Sequence, residues 1–145
     1  MTGIEVTETW WWWSHAAATW AMVGVIWVVQ RVIYPLMERQ PETGFTAWHQ
    51  DYMRRLGPVV GPLIALELIG AIWWCWQDPA NSWAGLAGVL ALVNLLSTAL
   101  VQVPIHRRLA QGYDRVLIAR LVATNWLRTV VWTVRGVILF SCAVI

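Results

Sequence analysis

The sequence predicts an all-α integral membrane protein, a single four-helix bundle, and three observations carry that prediction. Of 145 residues, 59% are hydrophobic and only 12% charged, with a mean hydropathy of +0.55. That balance is foreign to water-soluble domains. The apolar residues fall into four runs, each close to the ~20 residues that cross ~30 Å of hydrocarbon. The 13 Trp gather near the ends of those runs, where aromatic belts meet the membrane interface.

The first run covers about 14–36 and follows Trp10, Trp11, Trp12 and Trp13. Residues 1–9 carry Glu5 and Glu8 but no cation, so they lack the basic start of a cleavable signal and the run is expected to be retained. The second run covers 58–76 and closes on Trp73, Trp74 and Trp76. Its helix is expected to begin earlier, because Thr43 can cap a stretch from Gly44 through Met53 ahead of Pro58 and Pro62. The third run, 83–103, opens on Trp83, and the fourth covers 121–145. Asp114 can cap that last helix, which meets neither Gly nor Pro before Arg135. Helices two and four would therefore extend beyond the bilayer into the cytoplasm. Asp78-Pro79 and Gly112 mark turns. With no internal repeat, low-complexity tract or composition shift, residues 1–145 read as one domain.

Charge sets the orientation. Arg39, Arg54 and Arg55 lie between runs one and two, and Arg107, Arg108, Arg115 and Arg120 between runs three and four, while the loop 77–82 holds no Arg. The positive-inside rule then places both long connections in the cytoplasm and both termini outside, the arrangement expected in a bacterial inner membrane. All ten basic residues are Arg, and a net charge of +2 is too small and dispersed for a nucleic-acid partner. The bilayer is the expected environment.

A charge at the bilayer centre costs roughly 2.5 to 3.5 kcal/mol on insertion scales, so intramembrane polar groups need partners. Counted inward from the Trp-rich ends, Glu67, Asn94 and Arg135 each lie roughly 15 to 17 Å deep at a rise of ~1.5 Å per residue. A buried Glu67–Arg135 ion pair with Asn94 beside it is expected. Such a pair can serve function or merely fix helix packing, and both readings stay open. Nearer the cytoplasm, Asn94, Thr98, Gln102 and His106 recur every fourth residue on helix three, and Asn125, Arg128, Trp132 and Arg135 share a face of helix four. Neither stripe can face lipid cheaply, so both should point inward. Gln30 and Tyr34 end the first helix at a similar depth, and His49, Tyr52 and Arg55 begin the second. Together they would line a pocket open to the cytoplasm. The competing reading is that Arg128 snorkels to the headgroups and that Gln30, Tyr34 and Arg55 are interfacial anchors.

Three His and one buried Glu form a thin ligand set, and no HExxH, CxxC or CxxCH occurs. Haem or a metal held by His49 and His106 is therefore the lesser alternative to hydrogen-bonding histidines. Cys75 and Cys142 each lie three residues from an outward helix end, a shared layer that allows a disulfide or two separate thiols. No phosphate loop or serine nucleophile elbow is present.

The segment Val101-Gln102-Val103-Pro104-Ile105-His106, followed by Leu109, resembles the Asn-Val-Pro-Leu-Asn stretch ending the third helix in the anthrone-oxygenase-like family of small four-helix membrane proteins. Asn125-Trp126-Leu127-Arg128-Thr129 resembles that family's Asn-x-x-Arg-Thr, and Tyr34-Pro35-Leu36 its Val-x-Pro. The resemblance spans about 28–140. It implies a lipophilic aromatic ligand and, from some fungal relatives, cofactor-independent oxidation of anthrones to anthraquinones. Gln102 and His106 depart from the family's Asn.

The expected function is thus a membrane protein with a polar, Arg- and His-containing pocket for a lipophilic small molecule, with an oxygenase-like enzyme as its stronger form. His106 would act as base and Arg128 as anion stabiliser, with Tyr34, Gln102, Asn125 and Trp132 contacting the ligand and no cofactor assigned. The alternative is an accessory subunit of a larger respiratory or photosynthetic membrane complex, its Trp-rich surface contacting other subunits. A small transporter would call for an inverted repeat.

Overall fold

A computed structural model describes residues 3–144, and the side chains of residues 10–142. Met1, Thr2 and Ile145 lie outside it, as do the side chains of Glu5 and Glu8. The described chain is all α: α1 (Gly3–Val28), a wide π turn (Val29–Ile33), α2 (Tyr34–Glu38), α3 (Phe45–Gln77), α4 (Ser82–Ser97), a second π turn (Thr98–Gln102), α5 (Val103–Leu109) and α6 (Arg115–Val144). Because each π turn runs directly into the next helix, these pieces make four rods. Consecutive rods pack side by side, and α6 returns to α1. The second and fourth rods therefore face each other across a diagonal.

Three of the rods, spanning Trp10–Glu38, Phe45–Gln77 and Ser82–Leu109, are long and apolar enough to cross a membrane. The fourth carries Arg120, Arg128 and Arg135, which lower its hydropathy, yet Arg128 and Arg135 are turned into the bundle. Burial differs from that of a water-soluble bundle. Gln30, Glu67, Asn94, Asn125, Arg128 and Arg135 are buried alongside an apolar core, while Ile72, Trp76, Leu100 and Val116 are more than two-thirds exposed. An apolar exterior with polar and charged groups drawn inside is the distribution a hydrocarbon solvent selects.

The rod ends follow local chemistry. The second rod starts thirteen residues ahead of Pro58, as the extended helix required, but Thr43 does not cap it. Gly44 does, at φ +87°, with no side-chain cap bond. The turn before Phe45 needs a left-handed residue, which glycine alone adopts without cost, so backbone geometry displaces the hydroxyl. Asp114 caps α6 as expected, its Oδ1 accepting from the backbone N–H of Val116 (2.8 Å) and Leu117 (3.0 Å). Asn81 caps α4 in the same way through Trp83 (3.0 Å) and Ala84 (3.3 Å). Pro58 and Pro62 both lie inside α3, a position that membrane-spanning helices tolerate better than soluble ones.

The two π turns share one cause. Pro35 and Pro104 stand at the start of α2 and α5, and a proline ring clashes with the carbonyl four residues back. The helix widens to make room: the Tyr34 N–H donates to Val29 O, and the Val103 N–H to Thr98 O, five residues back in each case. Near the Trp-rich end, Trp74, Ala84, Ala87, Ile138 and Leu139 form a core against which Cys75 and Cys142 both pack. The cysteines do share a layer, and both are free thiols.

Of the described glycines, Gly70 lies closest to a neighbouring rod, because a Cβ there would lie under 3.0 Å from the His15 ring. We predict that Gly70→Ala destabilises the bundle by about 1 to 3 kcal/mol through overpacking, despite the better helix propensity of alanine. Gly24→Ala, which meets open space, should be neutral or slightly stabilising. Thermal unfolding of both variants in one detergent checks the contrast.

Candidate functional site

The polar interior has two layers. The deeper one is built on Arg135, whose guanidinium has five N–H donors in a fixed fork. Nη1 donates to Glu67 Oε1 (2.6 Å) and Thr19 Oγ1 (2.9 Å), and Nη2 to His15 Nε2 (2.6 Å) and the Glu67 carbonyl (3.2 Å). Nε donates to the Ala87 carbonyl (3.2 Å). Five donors meet five acceptors drawn from the other three rods. The expected Glu67–Arg135 pair is thus present, with Arg135 fully buried. Asn94 lies beside it, lining a gap of about 10 Å³ with Glu67 and Trp132. Since arginine accepts nothing, His15 must present an unprotonated Nε2.

Trp132 joins the layers. Its Nε1 donates to Glu67 Oε2 at 2.7 Å, and its ring lies under the Arg128 guanidinium, 4.9 Å from carbon to ring centroid. A cation over an indole face gains roughly 0.5 to 2 kcal/mol, more when desolvated.

Arg128 belongs to the second layer and is bound very differently. Among the described residues it makes one hydrogen bond, from Nη1 to Asn125 Oδ1 (2.9 Å), and no ion pair, while its buried Nε has no partner. Asn125 is itself held, donating from Nδ2 to Gln30 Oε1 (2.7 Å), and Gln30 donates to the Val122 carbonyl (3.3 Å). The side chain is therefore aimed rather than neutralised. Arg128 lines a cavity of about 240 Å³ with Tyr34, Tyr52, Thr98 and His106, closed by apolar residues that include Met22 and Val60. The Tyr52 hydroxyl is buried without a partner among the described residues. A cavity of roughly 150 Å³ already admits benzene, so this one accommodates a small aromatic group.

His106 reaches the cavity because of its π turn. In a regular helix, residues eight apart are rotated by about 80°, and the wide turn between Thr98 and His106 offsets that drift. Both line the cavity. Gln102, inside the wide turn, faces away and donates to Thr124 Oγ1 at 3.0 Å. Behind His106, His49 stacks with ring centroids 5.3 Å apart, and His49 Nε2 lies 3.0 Å from His106 Nδ1. That distance is a hydrogen bond between the two rings. Among the described residues no group of three or more His, Cys, Asp or Glu could hold a metal ion. The same pair borders an outer groove with Gln50 and Arg107. The two imidazoles thus span the wall between groove and cavity.

Of the residues singled out in the sequence, Tyr34, Tyr52, Thr98, His106 and Arg128 converge on the cavity, while Asn125 and Trp132 hold Arg128 from behind and below. Gln102 lies to one side. Arg55 is exposed and paired with Asp51 (2.7 Å), as is Arg54 (2.6 Å), so the anchoring reading fits it. Sequence reasoning missed His15 and Thr19, whose spacing of four on α1 is the only trace of their role. It also missed the Trp132 contact to both layers. The chain matches no family model, no curated protein and no solved structure.

Removing one member of a buried ion pair costs about 3 to 5 kcal/mol, because the other charge is left unpaired. We predict that cost for Arg135→Met. The double variant Glu67→Leu with Arg135→Met should be less destabilised than the sum of the singles, which a double-mutant cycle on thermal or chemical unfolding in detergent measures directly.

Proposed function

We propose that this chain is an integral membrane protein that binds a small lipophilic, aromatic molecule bearing an acidic or phenolic head in the Arg128 cavity. One observation carries the reading: Arg128 is a buried cation with no carboxylate partner among the described residues, aimed into an otherwise largely apolar cavity. A buried charge is costly unless compensated, and an anionic or strongly hydrogen-bonding ligand supplies the compensation. The gathering of Arg39, Arg54, Arg55, Arg107, Arg108, Arg115 and Arg120 at one end supports placing that end in the cytoplasm, with both termini outside and α6 as a fourth span. A bacterial inner membrane fits that charge pattern.

His106 adds the chemistry. With its Nδ1–H donated to His49, its Nε2 lone pair is free to take a proton from a phenol or an acidic C–H, and Arg128 stabilises the anion so formed. The His106 Nδ1 proton passes in turn to His49 Nε2, so the second imidazole holds it. The likeness of the Val103-Pro104 and Asn125-x-x-Arg128-Thr129 segments to anthrone-oxygenase-like proteins supports an oxidation in which dioxygen takes up the electrons: a CH₂ beside the aromatic rings becomes C=O and one water is released. The accessory-subunit reading draws on the exposed apolar exterior, which lipid covers equally well. It gives Arg128 no task.

Binding of 2-naphthol to the purified protein in detergent, followed by calorimetry, tests the proposal. Arg128→Met should weaken it about 10- to 100-fold, the range of a hydrogen bond to a charged group. His106→Gln should preserve folding and abolish proton uptake from the ligand. Unchanged affinity in Arg128→Met, or isolation of the chain only in fixed ratio with other subunits, would sink the reading.

A further inference from the structure

The Arg128 cavity does not end at its apolar wall. On the outer face between α1 and α3 runs a groove of about 480 Å³, lined by Gly24, Val28, Ile33 and Val59 among others. Four side chains, Val25, Val29, Tyr52 and Leu56, line both the groove and the cavity. The partition between them is one side chain thick. Glycines thin it further: Gly57 and Gly61 border the cavity and Gly24 the groove, and a Cβ at any of the three would meet open space. The one charged residue along the groove, Arg55, is already paired with Asp51, so no free charge there calls for a polar ligand. Val28 and Val59 are half exposed, which sets the groove against the hydrocarbon.

We infer that the cavity and the groove are two parts of one site, and that its ligand is a headed and tailed lipid: an acidic aromatic head on Arg128 and a hydrocarbon tail passing between Val25 and Leu56 to lie along Gly24 and Val28. This rests on the proposed function and narrows its substrate class. The volumes support it, because a head confined to about 240 Å³ leaves no space inside the bundle for a long chain, whereas the adjoining groove is larger and apolar. Entry is then lateral, from the bilayer. The head crosses the partition when Tyr52 and Leu56 change rotamer, and the buried Tyr52 hydroxyl, unpartnered in the closed form, finds its acceptor in the head.

The test uses 4-dodecylphenol with a diazirine in its tail and 4-ethylphenol as the tailless comparison, with the full chain in dioleoylphosphatidylcholine nanodiscs. Photolysis should label Val28, Ile33 or Val59, and excess unlabelled dodecylphenol should suppress that labelling. Arg128→Met should remove it. Gly24→Phe, which fills the groove, should lower the affinity for dodecylphenol at least fivefold more than that for ethylphenol, and Val28→Trp should do the same by an independent change. Groove labelling that survives Arg128→Met would mean annular lipid only and overturn the inference. Sensitivity to Arg128→Met with none to Gly24→Phe or Val28→Trp would overturn the tail while leaving the proposed function standing. Insensitivity of both phenols to Arg128→Met would overturn the two together.

Discussion

The bundle is organised around one guanidinium. Arg135 crosses the diagonal between the second and fourth rods, and its five N–H groups find acceptors on α1, α3 and α4. In hydrocarbon there is no competing water, so any donor left open would carry its full desolvation cost. The geometry that satisfies all five fixes the depth and rotation of every rod at once. Gly70 belongs to the same constraint, since only a residue without a side chain lets His15 reach its nitrogen acceptor position. A shorter cation could not span the diagonal, and lysine could not fork.

Arg128, two turns away on the same helix, is its chemical opposite. The same side chain is saturated at one depth and nearly free at the other, and Trp132 touches both sites, through a hydrogen bond below and a cation–π contact above. A ligand that draws Arg128 off the indole would therefore be felt at Glu67. The structural hub supplies the rigid floor against which the upper cation is held by Asn125 and Gln30. Rigidity below and an unfilled valence above are what a binding site requires.

Much of this was legible in the sequence, for physical reasons. Charge is so costly in hydrocarbon that Glu67 and Arg135 at equal depth could hardly fail to meet, and the face shared by Asn125, Arg128, Trp132 and Arg135 follows from the helical period alone. What the sequence concealed are departures from that period. The stripe from Asn94 to His106 assumed a regular helix, but the wide turn ahead of Pro104 sends Gln102 to Thr124 and returns His106 to the cavity. His15 was hidden among interfacial tryptophans, where a histidine is unremarkable. The matching helix ends of His49 and His106 were legible, but the direct hydrogen bond between their rings depends on the rotation of two rods, which no single-helix pattern encodes. Gly44, in turn, took the cap from Thr43 because the backbone needed a conformation, not a hydroxyl.

The paired wide turns at Val29–Ile33 and Thr98–Gln102 have a further consequence. Each holds one surplus residue, kept in place by the proline that follows it. The surplus shifts the phase of the two terminal segments by about 100° relative to a regular helix, one residue's rotation, while the longer part of each rod keeps its own period. Tyr34 and His106 sit at the start of those segments. The two rods that bring Tyr34 and His106 to the cavity thus aim those side chains by an offset that a proline, and not the regular helical repeat, sets.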